Sequence, residues 1–229
     1  MTKTNHSMCS KCSKLICKTD LQAENDPLSE APDYCPMKLW PGLLDEALEE
    51  YKKEGNLEFA RLASVQESEC YENTPQGIRT KYPRIEEIIM FAQKCNYHKL
   101  GIAFCTGLEH EARLLTRILE NNDFEVVSVR CKVGAVPKEE IGIRPEEKIA
   151  GPEKWESMCN PISQAMILNA ENVDLAIMLG LCIGHDTLFI KYCQRPVTVL
   201  AVKDRVTGHN PLAALYLSSS YYRRLMKKE

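Results

Sequence analysis

From Lys99 onward the sequence alternates short apolar runs with amphipathic ones, and this limits the possible folds more than any other feature. KLGIAF (99–104), FEVVSVR (124–130), DLAIML (174–179) and PVTVLAV (196–202) have the length and apolar content of buried strands. Between them lie helical patterns. Leu108, Ala112, Leu115 and Leu119 form a stripe behind Thr106 and Glu109, which have capping-box spacing. Asn160 precedes Pro161 as the cap of another helix, and HDTLFIKY (185–192) reads as a short one. Strands separated by helices predict an α/β fold, a three-layer open parallel sheet of about four strands.

The chain before Lys99 reads differently. Residues 37–98 predict a helical connector. Leu43, Leu44, Ala47 and Leu48 recur at helical spacing, and Asn56 caps a helix with Leu57, Ala60 and Ala63. After a turn at Thr74–Gly77, a third helix begins near Pro83, with Ile85, Ile88, Ile89, Ala92 and Cys95 on one face. Residues 1–36 have almost no apolar periodicity and hold four cysteines. The expected organisation is a cysteine-rich metal-binding segment (1–36), a helical region (37–98) and an α/β domain (99–229).

Composition narrows the function classes. Of 229 residues, 44% are hydrophobic and 27% charged, which excludes a globally disordered chain. A net charge of -3 provides no strong field for nucleic acid or anionic membranes, so neither partner is expected. The longest uncharged apolar run, Leu175 to Gly184, is too short to span a bilayer, and the N-terminus lacks the apolar core of a signal peptide. A cytoplasmic location is therefore expected, where the 11 cysteines stay reduced and clusters of them read as metal ligands or redox groups.

Four of these cysteines form C-x2-C-x4-C followed, after seventeen residues, by Cys35-Pro36. Cys9, Cys12, Cys17 and Cys35 would complete a tetrahedral thiolate set, suited to zinc or to an iron–sulfur cluster. A metal would also order a segment that has little else to order it. The plainer reading is a flexible reduced tail.

A second group comes from topology. Cys105, Cys131 and Cys182 each follow a strand, and Cys159 sits just before the cap Asn160. The carboxyl ends of parallel strands form one rim, where ligands bind. Convergence there suits a bound metal cluster as cofactor, or a reactive cysteine; the plainer reading is four small core residues. The same rim collects His185, Asp186, Lys203, Asp204, Arg205 and His209, which suit acid–base work and capture of a small anionic ligand. Each of these also has an ordinary explanation as a turn or helix-start residue. The connection from Lys132 to Lys154 is long enough to cover the rim. Cys70, Cys95 and Cys193 read as core or incidental, and Arg223, Arg224, Lys227 and Lys228 as a solvated face.

AFCTGLEHEA, SVRCKVG, MCNPISQAMILN, GLCIGHDTLF, PVTVLAVKDRVTGHNPLAALY and the N-terminal C-x2-C-x4-C together resemble a prokaryotic family of uncharacterised metal-binding proteins, defined by a domain of unknown function. Cys9, Cys12 and Cys17 match its N-terminal motif. Cys105, Cys131, Cys159, Cys182, His185, Asp186, Lys203, Asp204, Arg205, His209 and Asn210 match its core blocks. Arg195 stands where the family usually has a small residue. The resemblance implies metal binding and no particular reaction.

The leading expectation is a metal-binding protein, redox or sensory, holding an iron–sulfur cluster or zinc through Cys9, Cys12, Cys17 and Cys35. The rim cysteines are its expected second site. The alternative is an enzyme acting on a small anionic substrate at the rim. There Cys182 or Cys105 is nucleophile or cluster ligand, His185 with Asp186 the acid–base pair, and Lys203 with Arg205 the anion clamp. A third reading is a metal-stabilised interaction module without turnover.

Overall fold

The computed structural model describes residues 6–22 and 27–226. The chain divides into two compact units, Met1–Val65 and Gln66–Glu229.

The first unit contains short 3-10 turns at Cys9–Lys11, Ile16–Lys18 and Pro27–Glu30, then helices α1 (Pro36–Leu39) and α2 (Pro41–Tyr51). Both helices open on proline, whose fixed φ and missing N–H suit a first helical position. Helix α3 (Asn56–Glu69) begins in this unit. Asn56 does not cap it as the sequence suggests. Its side-chain amide donates to the Glu50 carbonyl at 2.9 Å, tying α3 back to the end of α2.

In the second unit, the stretch read as wholly helical contains a hairpin, β1 (Tyr71–Thr74) and β2 (Gly77–Thr80), paired antiparallel across the expected Thr74–Gly77 turn. The strands are four residues each and mostly exposed, so they carry little alternation by which the sequence could announce them. Helix α4 (Arg84–Lys94) follows, burying Ile88, Ile89 and Ala92 as its stripe predicts.

The main sheet contains β3 (Lys99–Phe104), β4 (Glu125–Arg130), β5 (Leu175–Leu179) and β6 (Val197–Ala201), all parallel, in the order β4-β3-β5-β6. The register Phe104↔Arg130 and Phe104↔Leu179 brings three strand ends level. Helix α5 (Glu109–Glu120) and α4 cover one face, where Leu108, Ala112, Leu115 and Leu119 pack on Leu100, Ile102, Leu175 and Ile177. Helices α6 (Pro161–Ala170) and α7 (His185–Tyr192) cover the other, where Ala165, Leu168 and Phe189 meet Ala103, Ala176 and Met178. This is the three-layer α/β sandwich expected. Fully buried β5 is apolar throughout because both of its faces are covered. The chain ends in α8 (Leu212–Tyr216) and a 3-10 turn at Arg223–Met226. Lys227 and Lys228 lie outside the described residues.

Two caps behave differently. Asn160 accepts from the Ser163 amide at 3.1 Å and caps α6 as predicted. Asn160→Ala should therefore cost about 1 kcal/mol, measured by denaturant unfolding. The Thr106–Glu109 capping box does not form. A 3-10 turn, Thr106–Leu108, precedes α5, the Thr106 hydroxyl faces Cys131, and Glu109 pairs with Arg113 and Arg130.

The long connection after β4 is built rather than formless. It folds through 3-10 turns at Lys138–Ile141 and Pro145–Glu147 and a bridge between Pro137 and Ser157. Lys138–Glu156 and Lys148–Glu139 ion pairs brace it at 2.7 and 2.9 Å.

Candidate functional site

Two groups of cysteines stand apart in chemistry, and each is described within its own unit. In the N-terminal unit, Cys9 opens the first 3-10 turn and Cys12 closes it, its amide bonded to the Cys9 carbonyl at 3.0 Å. Leu15 adopts a left-handed conformation (φ 52°) and reverses the chain into the turn carrying Cys17. Cys35 precedes α1. The Met8 amide donates to the Tyr34 carbonyl at 3.3 Å and the Tyr34 hydroxyl to the Lys11 carbonyl at 3.0 Å, so the first cysteine loop is laced to the residue before Cys35.

The result is one cavity of about 150 Å³ lined by all four of these cysteines, with Leu15, Ile16, Pro32 and Met37 among its apolar walls. Among the described residues, no three or more His, Cys, Asp or Glu side chains are gathered as ligands of a single metal ion.

At the sheet, the strand order supplies a feature that the sequence does not reveal. The connection leaving β3 runs to one side, to β4, and the one leaving β5 runs to the other, to β6, so the switch point lies between β3 and β5. Cys105 ends β3, and Gly180-Leu181-Cys182 ends β5. The Cys105 amide bonds the Leu179 carbonyl at 3.1 Å and the Cys131 amide bonds the Phe104 carbonyl at 2.9 Å, continuing the ladder one step past the strands. The Asn160 amide donates to the Cys131 carbonyl at 2.7 Å, bringing the Cys159 backbone alongside.

The thiols converge. Cys131 lies within hydrogen-bonding reach of both Cys105 and Cys159 and accepts from the Thr106 amide at 3.3 Å. Arg205 donates to the Cys182 sulfur at 3.0 Å and acts electrostatically on Cys105 and Cys159 as well. Cys105 and Cys131 are buried, whereas Cys159 and Cys182 are half-exposed.

The cluster is electrostatically graded. The hydrogen bond with Cys131 pulls the Cys159 thiol down to about 6 despite its burial, with help from Lys132. The bond with Cys131 and burial push Cys105 far above the ordinary thiol range. Lys203 opposes that rise, because its ammonium stands over Gly107 beside the Cys105 sulfur; a Cβ on Gly107 would lie 2.9 Å from that nitrogen.

The other rim candidates separate. His185 opens α7 with its Nδ1 buried and without a hydrogen-bond partner, and burial together with Lys132 lowers its pKa. The Asp186 carboxylate accepts from the Thr187 amide at 2.7 Å, so its hydrogen bond serves the helix start. Asp204 and His209 brace their own loop. The Asp204 carboxylate accepts from the amides of Val206 and Thr207, and His209 Nδ1 accepts from the Asp204 amide at 3.1 Å. Lys203, Arg205 and His185 therefore face the thiols, and Asp204 and His209 hold the segment that carries two of them. Arg195 caps the end of α6 through Asn169 and Asn172, away from this chemistry.

Sequence reasoning missed Gln164. Wholly buried on α6, it donates to the carbonyls of Phe104 and Val129 at 3.2 and 2.7 Å, clamping the ends of β3 and β4 beneath Cys105 and Cys131. A lone glutamine in an apolar helix, PISQAMIL, was the available signal.

Fold and rim together define a three-layer α/β protein with a thiol-rich switch-point site. The chain belongs to the family described as a protein of unknown function, DUF1847, whose profile matches residues 35–200. It is also 42% identical over 219 residues to an uncharacterized protein of Methanocaldococcus jannaschii, covering 96% of this chain and 98% of that one. No solved structure matches. Among the described residues, no helix is long and apolar enough to cross a membrane.

Proposed function

We propose that this is a metal–thiolate protein of redox or sensory type, with an iron–sulfur cluster held by Cys9, Cys12, Cys17 and Cys35. The observation that carries the reading is the cavity of about 150 Å³ shared by all four cysteines. A structural zinc ion draws its four thiolates to about 2.3 Å of one point. A cavity of this size lined by four cysteines leaves room for a cluster, which is larger than a single ion. Such a cluster supplies one-electron chemistry when bound. The protein's part is to provide thiolates on turns pinned by Tyr34, with Ile16, Pro32 and Met37 as apolar walls.

Iron, acid-labile sulfide and the visible spectrum of protein purified without oxygen test this. Iron with matching sulfide and a brown colour is expected, and Cys12→Ser or Cys35→Ser should lower the iron content by more than half. Zinc alone in colourless protein would replace the cluster with a structural ion. Protein free of metal, or iron content unmoved by both substitutions, would overturn the assignment.

A second reading, an enzyme acting on a small anionic substrate at the rim, is favoured by one observation. Lys132, Lys203 and Arg205 surround the thiols, and the buried His185 Nδ1 has no partner.

A further inference from the structure

The two cysteine groups are built for different tasks. The N-terminal four line a cavity, whereas at the rim Cys131 reaches both Cys105 and Cys159. Cys131 sits in the middle, buried, with Cys105 on one side along the ladder and Cys159 on the other. Of the two cysteines that Cys131 contacts, Cys105 is buried and Cys159 is the more exposed. Cys182, also half-exposed, is held by Arg205 at 3.0 Å. The Asn160–Cys131 backbone bond of 2.7 Å brings the Cys159 backbone alongside that of Cys131.

We propose that the rim is a dithiol–disulfide exchange site for small anionic disulfides, with Cys159 as the attacking residue and Cys131 as the resolving one. The Cys159 thiolate attacks one sulfur of a substrate RS–SR. The S–S bond breaks, one RS⁻ leaves, and a Cys159–S–SR mixed disulfide forms. Cys131 then gives up its proton and attacks the Cys159 sulfur, releasing the second RS⁻. Two protein thiols are oxidised to the Cys131–Cys159 disulfide, and the substrate is reduced to two thiols that carry the two protons.

Neighbouring groups fit each step. Lys132, Lys203 and Arg205 select a substrate bearing carboxylates. The Thr106 amide, 3.3 Å from Cys131, stabilises that sulfur when it ionises. This inference concerns the rim alone and stands whichever metal the N-terminal unit holds.

The test uses the full-length reduced chain, kept without oxygen, exposed to oxidised glutathione and digested for mass mapping of the rim peptides. The N-terminal cysteines are scored separately. The expected products are a Cys131–Cys159 disulfide in the unaltered protein and a glutathione adduct on Cys159 in Cys131→Ser. Cys159→Ser should yield neither. Because Cys131 is buried, Cys131→Ala is made as well, and both are checked for folding by circular dichroism; the unaltered protein decides the pairing if neither folds. Lys203→Gln should slow reaction with oxidised glutathione about tenfold and leave reaction with cationic cystamine unslowed. A Cys105–Cys131 disulfide, adducts only outside the rim, or reaction that starts only after a chelator strips metal from the rim would each overturn the proposal. Equal slowing with both disulfides would overturn the anionic substrate class.

Discussion

Gly180→Ala should lower the melting temperature by about 8 °C, the largest stability loss expected from so small a change. Two terms add. Gly180 has φ +74°, a left-handed conformation in which a Cβ costs about 1–2 kcal/mol. The added Cβ would also lie 1.8 Å from Leu108 Cδ1, and Leu108 is 3% exposed in the core under α5, so it has nowhere to go. Overpacking of this kind costs about 1–3 kcal/mol. Together they come to about 3 kcal/mol, and for a chain of this size each kcal/mol moves the midpoint by about 2–4 °C. Gly142→Ala is the control: its φ is +78° with nothing within 4 Å, so only the backbone term applies. Equal losses from the two substitutions, measured by thermal unfolding, would show that Leu108 yields freely. The change also reaches the rim. Leu108 ends the turn that carries Thr106, whose amide holds Cys131, so the Gly180 variant should lose rim thiol reactivity before it unfolds.

Cys159 should be the fastest-alkylated cysteine of the α/β unit at neutral pH, with a rate that rises through a midpoint near pH 6. Its thiol ionises at about 6 against an ordinary 9.0, because Cys131 hydrogen-bonds to the thiolate and Lys132 attracts it. At pH 7 it is mostly thiolate, while an ordinary thiol is a per cent or so ionised; allowing for the weaker nucleophilicity of a low-pKa sulfur, the advantage is about three- to sixfold. Half-buried Cys193, raised by burial, serves as the internal comparison. The groups facing Cys159 are Cys131, Lys132, Cys182, Cys105 and Arg205, so Lys132→Gln should move the midpoint upward by removing an attracting charge. The linkage has a definite sign. A thiol depressed from 9.0 to about 6 contributes stability that is complete above pH 9 and is lost as the pH falls through 6. A rate midpoint near 9 would show that the Cys131 contact does not favour the thiolate.

The two units differ in how much of them is legible in the sequence. The four strands appear within a residue or two of their expected bounds, since runs such as LAIML are intelligible only as strands covered on both faces. The stripes of α4 and α5 and the Asn160 cap follow from local chemistry in the same way. The hairpin at Tyr71–Thr80 does not, because two exposed four-residue strands bury nothing that would impose a period. The Thr106–Glu109 capping box fails for a tertiary reason. Thr106 turns to a sulfur twenty-five residues away, and Glu109 is taken up by Arg113 and by Arg130 from the neighbouring strand.

The rim makes the same division within a single site. That Cys105, Cys131 and Cys182 end strands can be read from the chain, and so can their shared edge, because parallel strands put all carboxyl ends together. His185 and Asp186 are adjacent in sequence, yet the Asp186 carboxylate bonds Thr187. Lys203, Asp204 and Arg205 are consecutive, yet one stands over Gly107 beside Cys105, one braces its own loop and one holds Cys182. By itself the sequence determined the α/β class, the strand ends and the identity of the cysteines, because these depend on periodicity and residue type within a few positions. Only the tertiary structure decided the order β4-β3-β5-β6, the placing of Cys131 between Cys105 and Cys159, and the enclosure of a cavity by Cys9, Cys12, Cys17 and Cys35. Those depend on which strands exchange hydrogen bonds and which loops are laced by single contacts such as Tyr34 to Lys11, between residues whose separation along the chain leaves no local trace.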